Sequence, residues 1–415
     1  MKGRIQISDK TKGELSLILK YYRKRSNLNQ RDFITYNGAT ICSADTYSRI
    51  ENQKIIKSHS IYIYLLYQID AGYEFLPLFW EAYQPLFEDL LTAVTRYELR
   101  EVARIAGRIQ EKLPNSKDIY VKEVRLLMDI IPDYYEKCSE LSQENYDKYL
   151  SLYTIFASPL QEIIKDMLYT YTVHRERSVD ECRRIFERLG MEESSCSLNI
   201  LNRSYQYFYE ERFLDCFRDS LYLEDLFLKD NNYNRLLDVY DAIVLLYSAV
   251  QQDKGVHEYD DKLFTLVREH AEDFHPNKNR QSLFQCGMLL YEQHHDQDAY
   301  PYFTKLAGID DYHYLPAALI ANFIASQHHF EPDPILLQEP KLPERFPPRI
   351  LAFHRYFIKK ANGCSCDELE MFLVKEVLPL IDKDDNVCWN PLLFELDSLV
   401  KVTKHYYQKK KLAKN

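Results

Sequence analysis

The sequence predicts an all-α protein, and three observations carry that expectation. Apolar residues recur with helical periodicity in blocks of roughly 15 residues, and no segment alternates apolar and polar positions as a strand does. Only 10 of the 415 residues are Gly, which leaves few positions for tight βα turns or bulges. With 46% hydrophobic and 14% aromatic residues the chain is far from a disordered composition. Its length suits one large or two ordinary domains. No apolar run approaches the roughly 20 residues that cross a bilayer, and the opening MKGRIQISDKTKGE lacks a signal-peptide apolar region. The nine Cys have no disulfide-scaffold rhythm. The expected location is therefore the cytoplasm, with no membrane partner.

The net charge of −10 divides unevenly. Residues 1–70 hold 12 Lys and Arg against 6 Asp and Glu, a net +6. Residues 401–415 hold 6 Lys and no acid, and the stretch between carries −22. A basic head before an acidic body directs any polyanion to the front of the chain.

Four short helices are expected in the head. Leu15, Ile18, Leu19 and Tyr22 line one face of the first, which ends in Arg23-Lys24-Arg25. Asn29 is placed to cap a second helix that buries Phe33 and Ile34. After a turn at Asn37-Gly38, Ser43 caps a third, with Tyr47 and Ile50 facing inward and Asn52 as its stop. A last apolar helix spans about His59 to Ile69. Lys2, Arg4, Lys10 and Lys12 precede or open this set as a basic arm.

These residues resemble the XRE-type, Cro/repressor-like, helix-turn-helix domain. Leu28-Asn29-Gln30 matches the family's Leu-x-Gln opening of its second helix. Tyr47-Ser48-Arg49-Ile50-Glu51-Asn52-Gln53-Lys54 matches its closing Ile-Ser-Arg-Ile-Glu-Asn-Gly-Lys. The stretch Ile34–Ser43 is about three residues longer than the family's connection. The resemblance implies a double-stranded DNA operator as partner. It also implies a buried structural ion pair between Arg23 and Glu51. Gln30, Ser43, Asn52 and Lys54 would then meet phosphates. Ala44, Asp45, Ser48 and Arg49 would meet base edges, with Arg49 suited to guanine O6/N7, Asp45 to cytosine N4 and Ala44 to a thymine methyl.

Residues 71–90 read as a linker helix around Gly72, Trp80 and Pro85. From 91 to 400 the chain reads as stacked helical hairpins. Gly287, Ala299 and Phe303 have the small-small-aromatic spacing that resembles a tetratricopeptide repeat, where small residues let paired helices approach. Cys182, Phe186 and Leu189 recur 34 residues on as Cys216, Ser220 and Leu223. In that register Met167, Tyr171, Tyr205, Tyr209, Gln281, Phe284, Met288 and Tyr291 point into an inner groove. Pro332-Asp333-Pro334 through Pro347-Pro348 should form an extended crossing segment. Helices over Asp367–Val377 and Pro391–Tyr407 should close the array, before a basic tail over 401–415 that includes Lys409-Lys410-Lys411.

No GxGxxG or GK[ST] loop is present. His257-Glu258 is followed by Asp261 where a zincin helix needs its second His, and Cys364-x-Cys366 lacks zinc spacing. No nucleophile context accompanies any Ser, His and Asp set. Neither catalysis, metal nor cofactor is expected.

An XRE-like head, a linker helix and a TPR-like body resemble the Rgg/PlcR/PrgX peptide-sensing regulators. That resemblance implies a homodimer whose body binds a short signalling peptide and thereby changes transcription. Two alternatives stay open: a ligand-independent repressor whose repeats only dimerise, and a TPR-like protein-docking scaffold.

Overall fold

The computed structural model describes residues 7–74, 79–136, 141–175, 178–306, 314–341, 343, 346–381 and 388–412. It is nearly all helical, as expected. Two compact units form, Met1–Val256 and His257–Asn415. The borders expected at 70, 90 and 400 do not coincide with this division. Lys2 and Arg4 lie outside the described residues, as do the side chains of Lys409, Lys410 and Lys411.

The first unit opens with α1 (Asp9–Arg25), α2 (Gln30–Phe33), α3 (Ala44–Glu51) and α4 (His59–Tyr67). Ser8 caps α1 through the Thr11 N–H at 3.1 Å, and Leu15, Ile18 and Leu19 are fully buried. Lys10 and Lys12 therefore belong to α1 rather than to an arm, and Lys12 is buried beside Asp9. Asn29 caps α2 through the Asp32 N–H at 2.9 Å, yet α2 lasts only one turn. The extra residues after it form a hairpin of β1 (Thr35–Tyr36) and β2 (Ala39–Thr40), all exposed. Asn37 and Gly38 both take positive φ, +49° and +78°, which is the two-residue turn such a hairpin needs.

Five helices continue the unit as α5 (Phe79–Arg96), α6 (Leu99–Lys112), α7 (Ile119–Glu136), α8 (Gln143–Leu152) and α9 (Ser158–Arg175). One core runs unbroken from Ile7 to Leu198, so the head shares its interior with these helices. Chain pairing reinforces the junction: the Gly72 N–H donates to Lys117 O at 2.7 Å and the Ile119 N–H to Gly72 O at 3.0 Å. Tyr22 of α1 donates to Glu123 of α7, and Tyr120 of α7 donates to Glu14 of α1. The described part of 71–90 is thus packed structure; α5 lies against α6 and α9.

The unit closes with α10 (Val179–Arg188), α11 (Ser197–Tyr209), α12 (Phe213–Lys229), α13 (Tyr233–Ala249) and the start of α14 (Asp253–His270). Neighbouring helices α11, α12 and α13 pack in sequence as helical hairpins. Turns between successive helices of the unit are tight despite the scarcity of Gly. Tyr97, Glu211, Asn231 and Gln251 sit at positive φ, and the following N–H reaches back five residues, as Arg212 does to Tyr207 O at 2.8 Å. These are Schellman closures built on residues other than Gly.

The second unit holds the rest of α14, then α15 (Pro276–Glu292), α16 (Asp296–Lys305), α17 (Tyr314–Gln327), α18 (Pro348–Ala361), α19 (Cys366–Phe372) and α20 (Trp389–Leu412). Gly287 of α15 faces Phe303 of α16 so closely that a Cβ would stand 2.7 Å from the ring. Between α17 and α18 the Pro-rich stretch includes a 3₁₀ turn, Pro334–Leu337, held by Asn322 donating to Leu336 O at 3.0 Å. A capping box at Ser365 and Glu368 starts α19.

Candidate nucleic-acid interface

α3 is fixed from beneath by a carboxylate. Arg23 Nε donates to Glu51 Oε1 at 2.5 Å, and Arg23 Nη2 to Oε2 at 3.3 Å. Arg23 Nη1 also donates to Leu28 O at 2.7 Å. Gln30 Nε2 takes the remaining side of Glu51, donating to Oε2 at 2.6 Å. Glu51 is buried, so α1, α2 and α3 meet at one desolvated charge. The hydrogen bond to Glu51 holds the Arg23 guanidinium above its ordinary value. Burial, followed by the charge on Glu51, pushes the Tyr47 hydroxyl well above its ordinary range. The Gln30 side chain expected at a phosphate is therefore turned inward in this structure. Only the backbone at the start of α2 is left in that role.

Tyr47 and Ile50 are fully buried, which sets the opposite face of α3 outward. Ala44, Asp45 and Arg49 are exposed there, with Ser48 half-buried. Among the described residues neither Asp45 nor Arg49 has an ion-pair partner. Ser43 caps the helix, accepting from the Thr46 N–H at 3.1 Å. Asn52 Nδ2 donates to Ser48 O at 2.8 Å and closes the other end, while the left-handed position falls to Gln53 at φ +56°. Lys54 is exposed at that end.

Arg31 and Lys57, which the motif does not mark, add exposed charge on α2 and beyond α3. Their only signal in the sequence is the positive count of the head. Arg25 is taken up by Glu144 of α8. The hairpin leads the chain from α2 to α3, with the Tyr36 ring 6.3 Å from Tyr67 and Gln68 Nε2 donating to Thr35 O at 2.7 Å.

The eight residues expected in a peptide groove separate into two groups. Met167, Tyr171, Tyr205 and Tyr209 fall in the first unit, and Gln281, Phe284, Met288 and Tyr291 in the second. Met167 and Tyr171 are core residues, 1% and 5% exposed, which corrects their assignment to a groove. Neighbouring α7 and α8 cover that face: Tyr134 donates to Met167 O at 3.1 Å, and the Tyr146 ring lies 4.9 Å from Tyr171. Tyr205 is half-buried and donates to Asp238 O at 2.9 Å, while Tyr209 is exposed. Gln281, Phe284, Met288 and Tyr291 are half-buried on α15.

The first unit has instead a polar cleft of about 690 Å³, lined among others by Arg96, Glu162, Lys165, Ser195 and Asp230. None of the eight residues lines it. Its lining comes from four separate stretches of chain, so no local pattern announces it. Among the described residues no group of His, Cys, Asp and Glu could hold a metal ion. No helix of the described residues is long and apolar enough to cross a membrane. Compared with protein families, with curated proteins and with solved structures, the chain matches none.

Proposed function

We propose that the chain is a sequence-specific DNA-binding transcription regulator of the XRE helix-turn-helix kind, acting as a cytoplasmic homodimer through a TPR-like body. The observation that carries this reading is the outward face of α3. It presents Ala44, Asp45, Ser48 and Arg49, which has no ion-pair partner among the described residues, on a head of net +6 held by Arg23 and Glu51. α3 enters the major groove, where Arg49 takes guanine and Asp45 takes cytosine. Ser43, Asn52, Lys54 and the backbone at Gln30 fix its register on the phosphates. The acidic body repels the duplex and confines contact to the head. A short signalling peptide bound to the body would bias the dimer between two arrangements.

Burial of Met167 and Tyr171 favours a second reading of the body, in which it dimerises without a ligand. Mobility shift of DNA from upstream of the chain's own coding region tests the main reading. Binding should weaken steeply with added salt, and no shift at low salt would sink it. Unchanged binding across a panel of short peptides encoded nearby would favour the ligand-independent body.

A further inference from the structure

α12 carries a stripe that the fold leaves uncovered. Cys216, Asp219, Ser220, Leu223 and Phe227 form its buried face, against α11 and α13. The opposite face shows Leu214, Leu221 and Leu228, which are 87%, 39% and 49% exposed. Each follows the last by seven residues, so the three fall on one line of the helix. Arg218 and Asp225 lie between them, and the row Leu214, Arg218, Leu221, Asp225, Leu228 has the alternating four-and-three spacing of a helix–helix seam.

We infer that this face is where two copies of the chain meet, with their α12 helices antiparallel about a two-fold axis at Leu221. The order of charges along the stripe selects a second copy. In that arrangement Leu221 meets Leu221 of the other copy, and Leu214 lies opposite Leu228. Arg218 lies within one residue's rise, about 1.5 Å, of the level of Asp225, twice over by symmetry. A parallel pairing would set Arg218 against Arg218 and Asp225 against Asp225, like charge on like. Arg218 now pairs with the half-buried Asp215 at 2.9 Å and lies 3.8 Å from the buried Asp219, while Asp225 pairs with Lys229 at 2.5 Å at the surface; both Arg218 and Asp225 are themselves exposed. Such exposed pairs contribute little, so exchanging them for partners across the axis costs little. The seam is short, at the small end of specific interfaces, and the dimer dissociates on dilution. The inference rests on the homodimer of the reading above and supplies its contact, without depending on DNA.

Sedimentation velocity of the full chain over a concentration series, without DNA, tests it. The native chain should pass from monomer to dimer. Leu221→Glu, which brings two carboxylates together on the axis, should stay monomeric with an unchanged circular dichroism spectrum. Should that variant misfold, Leu214→Glu at the most exposed position gives a second reading. Arg218→Asp and Asp225→Arg should each weaken the dimer about tenfold, and the two together should restore it. A native chain that is monomeric throughout, or a dimer indifferent to both Leu variants, overturns the contact. Single charge variants that the double variant does not rescue overturn the antiparallel register. A dimer without DNA affinity would keep this contact and end the regulator reading. A Leu221→Glu monomer that still shifts DNA supports the contact and leaves that reading standing.

Discussion

Lys148 Nζ stands 2.7 Å from Glu123 Oε2, and both side chains are buried. Glu123 also accepts from the Tyr22 hydroxyl, and Lys148 lies 5.9 Å above the Tyr22 ring. Burial, then the charge on Glu123, pushes the Tyr22 hydroxyl well above its ordinary range, so it stays a donor. α1 of the head is thereby latched to α7 and α8 through a single buried carboxylate.

Breaking one side of that pair should cost more than removing both. Lys148→Met leaves a buried, uncompensated carboxylate and should destabilise the fold by about 3–5 kcal/mol. Adding Glu123→Gln removes the charge and should recover most of the loss, since a neutral amide can still accept from Tyr22. Thermal unfolding of the two single variants and the double variant completes the cycle. Additive losses would show that the pair is not coupled.

The proposed DNA recognition has its sharpest test at Arg49. Arg49→Ala removes an exposed side chain without a partner among the described residues, so the fold should be unaffected. Affinity for the preferred site should fall by about 1–3 kcal/mol, with tolerance gained at one base position. Lys54→Ala should weaken all sequences alike and reduce the salt slope by about one. Equal affinity of native chain and Arg49→Ala for the preferred site would refute the placement of α3.

Glu162 and Asp166 are one turn apart on α9, and their carboxyls move in opposite directions. Burial raises Glu162, but hydrogen bonds from Lys165 at 2.8 Å, Ser194 at 2.7 Å and Asn199 at 2.6 Å outweigh it, and it is held below its ordinary value. Burial dominates at Asp166 and raises it, despite Arg235 and donors from Tyr135 at 2.5 Å and Asn202 at 2.8 Å. The stability that Glu162 contributes is present above its unfolded value of about 4.3 and is lost as pH falls through its lowered folded value. The sign at Asp166 is reversed: its contribution is complete below about 3.9 and is lost as pH rises through the raised value. Urea unfolding should show the difference between native chain and Glu162→Gln shrinking on acidification. For Asp166→Asn the native advantage should shrink as pH rises. Differences independent of pH would contradict both assignments.

The all-α class is legible because the helices carry their own period and several carry a side-chain cap; Ser43, Asn29 and the inward pair Tyr47 and Ile50 stand where the pattern puts them. The approach of Gly287 to Phe303 is legible for the same reason, since two residues at fixed spacing suffice to state it. The hairpin is not, because strands of two residues cannot display alternation, and Asn37-Gly38 alone signals only a turn. The latch is hidden by distance, with Tyr22 and Glu123 separated by 101 residues. Helical pattern places Met167 and Tyr171 on a face, but only the tertiary fold shows that α7 and α8 cover it. Gln30 misleads because its place in the XRE-like pattern suggests an outward role, while the second Glu51 oxygen draws its amide inward.

Scarcity of Gly looks, in the sequence, like a lack of tight turns. The structure has the turns and fills their left-handed positions with other residues, including Glu211 at φ +58° in the link between α11 and α12. A side chain there costs about 1–2 kcal/mol that Gly avoids, set against the greater entropy Gly loses on folding. Glu211 is exposed, so nothing in the packing offsets that strain. Glu211→Gly should therefore raise stability by about 0.5–1 kcal/mol, or roughly 2 °C in Tm. Asn231→Gly, at φ +51° in the next link, should gain less, because Asn tolerates this region. Glu211→Ala keeps the Cβ and should gain nothing. If Glu211→Ala stabilises the chain as much as Glu211→Gly, the benefit comes from loss of charge, and backbone strain is not its source.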